Sequence, residues 1–423
     1  MKRLIAMFAL GAATPALAQT AAPPIAITHA EAWTMESDTP VRDATIIVAD
    51  GRIVSVTPGG AAPEGATVID AKGKPVTPGL MNGATQIGLI EVSSSADTRD
   101  QASADDRNPG FDPARALNGN STLVDLARAD GLTRALIYPS PSRQPVFSGE
   151  PVIARLRDGA DILGRGDVAA YAVIGGGAWD RIGSRAQQWA VLRKALTDAK
   201  RAGAAGEAAD AGKRRGGPPP GRGRHDEGEA LRDVIAGEIP LAIQTHRETD
   251  IRQAIDLTRE FGIRVVIVGG AEAWRVADAL AQAKIAVVLD PLTNMPESFD
   301  QLGARQTNAA ILTAAGVRIA FGMVGGGIHM SYNAGMALRE GAGIAVANGL
   351  PYADALRAVT INPAAIWGGE RITLTPGAPA DLVVWDGDPL EPSSIALNVI
   401  VEGRTASTRS RQDLLAERYR DAR

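Results

Sequence analysis

Val76-Thr77-Pro78-Gly79-Leu80-Met81-Asn82-Gly83-Ala84-Thr85-Gln86-Ile87-Gly88 holds a Pro-Gly-Leu turn that runs into an apolar segment. Proline presets φ and glycine releases it, so the pair marks a chain reversal before an extended run. Ala84 to Glu91 is therefore expected to be a strand, and the chain changes character on either side of this point.

Upstream the segments are short and β-rich. Ala44-Thr45-Ile46-Ile47-Val48 and Arg52-Ile53-Val54-Ser55-Val56 flank Asp50-Gly51, which predicts a hairpin, and Val68-Ile69-Asp70 adds another strand. The same character returns in Asp381-Leu382-Val383-Val384-Trp385 and Asn398-Val399-Ile400-Val401-Glu402. Between these ends the pattern alternates. Strands are expected at Thr133 to Tyr138, Val168 to Ile174, Ile239 to Thr245, Arg264 to Val268, Ile285 to Leu289 and Val317 to Phe321. Helices are expected near Asp250 to Phe261, Glu272 to Ala283 and Ala304 to Ala315. Alternation of this length predicts an α/β fold, a (β/α)8 TIM-like barrel, with a small β-sandwich domain built from both termini.

Further motifs bracket the middle. Ala355-Leu356-Arg357-Ala358-Val359-Thr360-Ile361-Asn362-Pro363-Ala364 carries Thr-x-Asn-Pro-Ala, and Pro376-Gly377-Ala378-Pro379-Ala380-Asp381-Leu382-Val383-Val384 carries Pro-Gly-x-x-Ala-Asp-Leu-Val-Val. With Asp50-Gly51-Arg52-Ile53 and Val76 to Leu80, they resemble the amidohydrolase superfamily, in particular its imidazolonepropionase-like members. The resemblance spans about residues 26 to 404 and implies a metal-dependent C–N hydrolase scaffold. The expected organisation is a signal peptide at 1–18, a composite β-sandwich from 19–77 and 371–408, a barrel at 78–370 and a charged tail at 409–423.

The family's ligand positions carry unusual residues here. Its first strand ends in His-x-His, and the matching residues are Ala84 and Gln86. Thr245-His246 ends the fifth strand and keeps a histidine. Val268-Gly269-Gly270-Ala271-Glu272 resembles Val-His-Gly-Thr-Glu, which puts Gly269 at a histidine position. Phe321-Gly322-Met323-Val324 resembles Phe-Gly-Thr-Asp, which puts Val324 where an aspartate orients and deprotonates the water. No lysine between Lys74 and Lys194 is available to bridge from strand four. A catalytic ion needs three or four nitrogen and oxygen donors, and a bound ion lowers its water's pKa to about 7. No catalytic residue is assigned with assurance. His246 is either a remnant ligand or a hydrogen-bonded structural histidine. His329, His246, Glu272 and Asp290 are candidates for a rebuilt polar site at the barrel mouth. Plainer roles are a helix cap for Glu272 and a turn before Pro291 for Asp290. His29 and His225 fall elsewhere, and the Gly175-Gly176-Gly177 and Gly325-Gly326-Gly327 runs lack the spacing of a phosphate loop.

Composition narrows the classes further. There are no cysteines, which excludes disulfides, thiolate metal sites and cysteine nucleophiles. A formal charge of -4 with 4% aromatics argues against nucleic-acid binding. Lys2-Arg3, an apolar run and Ala16-Leu17-Ala18 read as a secretory signal, so a periplasmic chain with no membrane span after cleavage is expected. Residues 201–230 contain no Val, Ile, Leu, Met, Phe, Trp or Tyr and read as a flexible insertion, with anion binding by its arginines as the other reading. In the tail, Leu414, Leu415 and Tyr419 stand at helical spacing, to pack on the barrel or on a partner.

The expectation is a periplasmic pseudoenzyme with no cofactor, acting as binding or assembly partner of an active amidohydrolase paralogue or as a homo-oligomer. A small-molecule ligand in the vacated pocket is a related reading. The alternative is an active hydrolase of a small cyclic or peptide-like amide, with zinc or another divalent metal in an altered site.

Overall fold

The computed structural model describes residues 23–92, 94–102, 110–140, 146–176, 183–211, 228–293, 295–324 and 332–420. The expected signal segment, His225 and His329 lie outside these residues.

Both ends of the chain build one eight-stranded sheet. Ile25–Ala32 pairs antiparallel with Val41–Ala49 and parallel with Thr67–Asp70 and Pro75–Pro78. Leu382–Trp385 joins it by pairing antiparallel with Pro75–Pro78, and Ala396–Val401 and Arg404–Ala406 complete that flank. The Asp50-Gly51 hairpin forms with φ of 51° and 75°, the positive pair that a two-residue turn of this kind requires. A second such turn, Glu402-Gly403, packs directly on it. A Cβ on Gly403 would lie 2.6 Å from the Gly51 Cα, so glycine is needed for the contact. The expected composite of both termini is thus joined by one continuous set of hydrogen-bonded ladders of mixed direction.

The Ala-Asp-Leu-Val-Val motif fastens this sheet to the rest. Asp381 is fully buried, accepts from Arg134 Nε at 2.6 Å and from the Glu402 N–H at 2.7 Å, and its carbonyl takes the Gly79 N–H at 2.9 Å. One residue thereby ties the three together: its carbonyl holds the Pro-Gly-Leu turn, and its carboxylate holds the sheet at Glu402 and strand Leu132–Ile137 at Arg134.

The α/β part departs from eight parallel strands. Leu80–Thr85 runs parallel to Leu132–Ile137 in a four-stranded sheet. Ala170–Val173, Leu241–Thr245, Val265–Gly269, Ala286–Leu289 and Ile319–Phe321 are parallel in a six-stranded sheet. Between the two, Phe147–Gly149 pairs antiparallel with Ala170–Val173, and Val152–Arg155 pairs antiparallel with Leu132–Ile137. This segment takes the third strand's place in the opposite direction. Glu150-Pro151 sits where it changes partners; proline lacks the N–H for a continuous ladder. No ladder joins Ile319–Phe321 to Leu80–Thr85 among the described residues. At that seam a Cβ on Gly83 would meet Phe321 O at 2.7 Å and one on Gly322 would meet Ala84 N at 2.6 Å. The glycines allow the close approach, and Met323 N–H donates to Ala84 O at 2.7 Å.

The Thr-x-Asn-Pro-Ala motif backs the same seam. Its helix, Ile361–Trp367, ties Asn362 Nδ2 to Ile319 O at 2.9 Å and Trp367 Nε1 to Gly83 O at 2.9 Å. Trp367 joins Met81, Leu136, Val268 and Val288 in the core enclosed by the strands.

The helices follow the apolar spacing, with one correction. Arg185–Ala211 is a single helix anchored by buried Trp189, Leu192 and Leu196, so residues 201–211 of the expected flexible insertion are helical. Their alanine, arginine and glutamate content favours continuing a helix once a preceding turn is anchored. Residues 212–227 are outside the described set, and 229–230 begin the next helix, Glu229–Ala236. Arg411–Arg420 is helical with every residue exposed. No described helix is long and apolar enough to cross a membrane.

Candidate active site

The positions at which the sequence resemblance expects metal ligands each have a definite environment. Ala84 and Val324, at the first and last strands, are buried in the enclosed core with Tyr138 and Tyr171. The two tyrosine rings stack with centroids 5.3 Å apart and planes at 19°. Tyr171 Oη donates to Gln244 Oε1 at 3.0 Å. Burial pushes both phenols well above their usual range, and the Asp290 charge adds to the shift of Tyr138. Both rings are therefore neutral, with no accessible phenolate.

Gln86 is buried just past the first strand. Its Nε2 donates to Ser140 Oγ at 2.6 Å and to Tyr138 O at 3.4 Å, while its Oε1 has no hydrogen-bond partner among the described residues. The amide is thus held by the second-strand loop as a neutral hydrogen-bonding group.

His246 and Gly269 share one space. Gly269 has φ of 91°, and a Cβ there would lie 2.6 Å from His246 Cε1. The His246 imidazole covers Gly269, the position at which the sequence resemblance expects a second histidine. The His246 ring is half-buried, and its Nδ1 has no partner among the described residues. Burial holds its pKa below the usual value against the opposing pull of Asp300 and Glu272. It is a neutral imidazole at neutral pH.

The acidic candidates are otherwise engaged. Glu272 Oε2 accepts the Glu248 N–H at 2.9 Å and Oε1 accepts the Gly303 N–H at 3.0 Å. It caps the neighbouring helix, Glu248–Phe261, rather than its own, and fastens the loop beyond strand Ala286–Leu289. Both oxygens are engaged by backbone N–H groups. Asp290 is buried, and its Oδ1 takes the Leu292 N–H at 3.1 Å in the turn into Pro291–Thr293. The plainer reading of Asp290 agrees with that contact. His29 pairs with Asp70 at 3.0 Å in the terminal sheet, away from the mouth. Tyr138, Tyr171 and Gln244 were not singled out from sequence. A tyrosine in a strand pattern reads as an ordinary strand former, and only assembly shows which face it takes.

Among the described residues, the donor set at these positions does not suit a catalytic ion. One imidazole and one amide oxygen fall short of the three or four donors needed, and apolar side chains stand at two further positions. Among the described residues, no three His, Asp or Glu side chains are arranged to hold a metal.

Residues 238–407 match the Amidohydrolase family profile. An amidohydrolase from Thermotoga maritima MSB8 is similar over 90% of this chain and 99% of its own, with 26% identity and a TM-score of 0.79. A putative prolidase from Bifidobacterium longum shares the fold at 20% identity, covering 94% of this chain and 100% of its own, with a TM-score of 0.54. "Amidohydrolase tasK" of Hapsidospora irregularis is 31% identical over 123 residues, 22% of this chain. That match spans only 12% of the length of this curated relative.

Proposed function

We propose that this chain, which carries an amidohydrolase-family domain, has given up metal catalysis and works as a binding or assembly partner of an active paralogue in the periplasm. The observation that carries the reading is the shared space of His246 and Gly269. The one histidine retained at a ligand position lies over the position of another, with a Cβ at 269 only 2.6 Å from its ring. Ala84 and Val324, packed in the enclosed core with Tyr138 and Tyr171, support it, because neither offers a donor atom. A scaffold without its ligands retains its surface, and surface is what an assembly role needs.

A second reading rests on two buried polar atoms. Gln86 Oε1 and His246 Nδ1 lack hydrogen-bond partners among the described residues, and such groups are costly unless something satisfies them. A small cyclic or peptide-like amide is a suitable occupant. A solved fold neighbour of 18% identity is a prolidase complexed with N-methylphosphonate-L-proline. On this reading Gln86 and His246 orient a neutral amide in an altered site.

The test is metal analysis of the purified mature chain for zinc, iron and manganese, with amide hydrolysis assayed before and after chelation. The degenerate reading expects no stoichiometric ion and no chelator-sensitive turnover. An ion removed together with activity would overturn it.

A further inference from the structure

We infer that the rim formed by loop 295–303 and Trp274 is a docking surface for an acidic, amphipathic helix of a partner protein. This deepens the assembly reading by giving the partner's chemistry.

Three large apolar side chains stand in water on this one loop: Phe299 is 79% exposed, and Met295 and Leu302 are each 63% exposed. Single exposed apolar residues are ordinary, but three within eight residues of one loop point to an interaction site. The loop is also pinned. Asp300 accepts the Gly176 N–H at 2.5 Å and forms ion pairs with Arg185 and with Arg247. Arg247 further donates to Phe299 O at 3.0 Å. At the far end Gly303 N–H reaches Glu272 at 3.0 Å, and its carbonyl accepts from Trp274 Nε1 at 2.8 Å. These anchors hold the loop backbone at Phe299, Asp300 and Gly303 before any partner arrives, which lowers the ordering cost of association.

Beside the loop lies a groove of about 500 Å³, with Trp274, Val276 and Ile311 in its walls and Arg252 and Arg275 at its edge. The guanidinium groups of Arg275 and Arg305 lie 4.5 and 4.6 Å from the Trp274 ring centroid. Arg252 pairs with Glu248, whereas Arg275 and Arg305 form no salt bridge with a described residue; Asp278 is the one acidic residue lining the groove, and Glu297 is exposed on the loop. Tryptophan, arginine, phenylalanine and methionine are the residues enriched in protein interfaces and their energetic centres. Two guanidinium groups that form no ion pair with a described residue select carboxylates, and the exposed apolar side chains of the loop select a face of leucine or phenylalanine. An amphipathic helix with glutamates flanking its apolar stripe meets both demands.

The experiment uses the full chain and two synthetic helical peptides. One has an apolar face flanked by glutamates, and its twin has lysines in their place. Binding is measured by calorimetry at low and high salt, with sedimentation velocity on the chain alone. The acidic peptide should bind at least about tenfold tighter than its twin and weaken with salt. Paired Arg275→Glu and Arg305→Glu substitutions, and separately paired Phe299→Ser and Leu302→Ser, should each weaken it about tenfold or more with circular dichroism unchanged. Equal binding of both peptides, binding of neither, or unaltered binding by the folded variants would overturn the inference. So would a dimer of the chain that these same substitutions dissociate, since that assigns the rim to a second copy. Peptide binding and metal content are read separately: a catalytic ion would sink the degenerate reading and leave the rim assignment standing.

Discussion

Glu150 offers a quantitative test of how the antiparallel segment is built. It is 1% exposed, between Phe147–Gly149 and Val152–Arg155, with its N–H donating to Phe111 O at 2.9 Å. Burial raises its pKa first, and the charges of Asp167, Asp112, Asp233 and Glu229 raise it further, from 4.5 to about 8. In the native state the carboxyl keeps its proton at neutral pH, whereas in the unfolded chain it ionises above about 4.5. The native state therefore binds more protons between those values, and stability falls as pH rises through the window. Each pH unit corresponds to about 1.4 kcal/mol, so the complete loss approaches about 5 kcal/mol, with relaxation and water entry reducing it. Glu150→Gln cannot ionise and should lack this loss. Urea unfolding of both proteins from pH 4.5 to pH 9 checks it. The variant's stability relative to the natural chain should climb by about 2–5 kcal/mol across the series and level off above pH 8. Parallel curves, differing by a constant across the series, would refute the assignment of a proton to buried Glu150.

Two further outcomes follow from named contacts. Asp381→Ala leaves Arg134 buried without its carboxylate and frees the Glu402 N–H, so urea unfolding should record a loss of about 3–5 kcal/mol; a loss under about 1 kcal/mol would mean that Asp381 does not bind the terminal sheet to the α/β part. Gly269→Ala places a Cβ 2.6 Å from His246 Cε1 on a backbone with φ of 91°, and should cost about 1–3 kcal/mol. In a His246→Gly background the steric part of that cost should vanish, and a double-mutant cycle with no coupling would show that the two residues do not share space.

Much of the architecture was legible because it is written in local chemistry. The Asp50-Gly51 hairpin, the Pro-Gly-Leu turn and the helices from apolar spacing each depend on neighbours a few residues away. The motifs were recognisable without their purpose; Asp381 and Asn362 prove to be joints whose partners, Arg134 and Ile319, are remote in sequence. The reversed segment at 147–155 escaped notice because its two halves pair with different strands and proline breaks its pattern. The helix through 201–211 escaped because it borrows its nucleus from Trp189 and Leu192 upstream.

By itself the sequence determined which atoms exist at the mouth: no donor at Ala84 or Val324, an amide at Gln86, one imidazole at His246. Composition is enough for that, since no folding supplies a missing side-chain nitrogen. Only the tertiary structure decided what the remaining groups do. Glu272 could have faced the mouth, and instead both its oxygens are taken by backbone N–H groups 24 and 31 residues away. His246 could have pointed into an open site, and instead it covers Gly269. Such choices depend on which buried polar group finds a partner, and those partners come from separate strands and loops that only the assembled fold brings within hydrogen-bond distance.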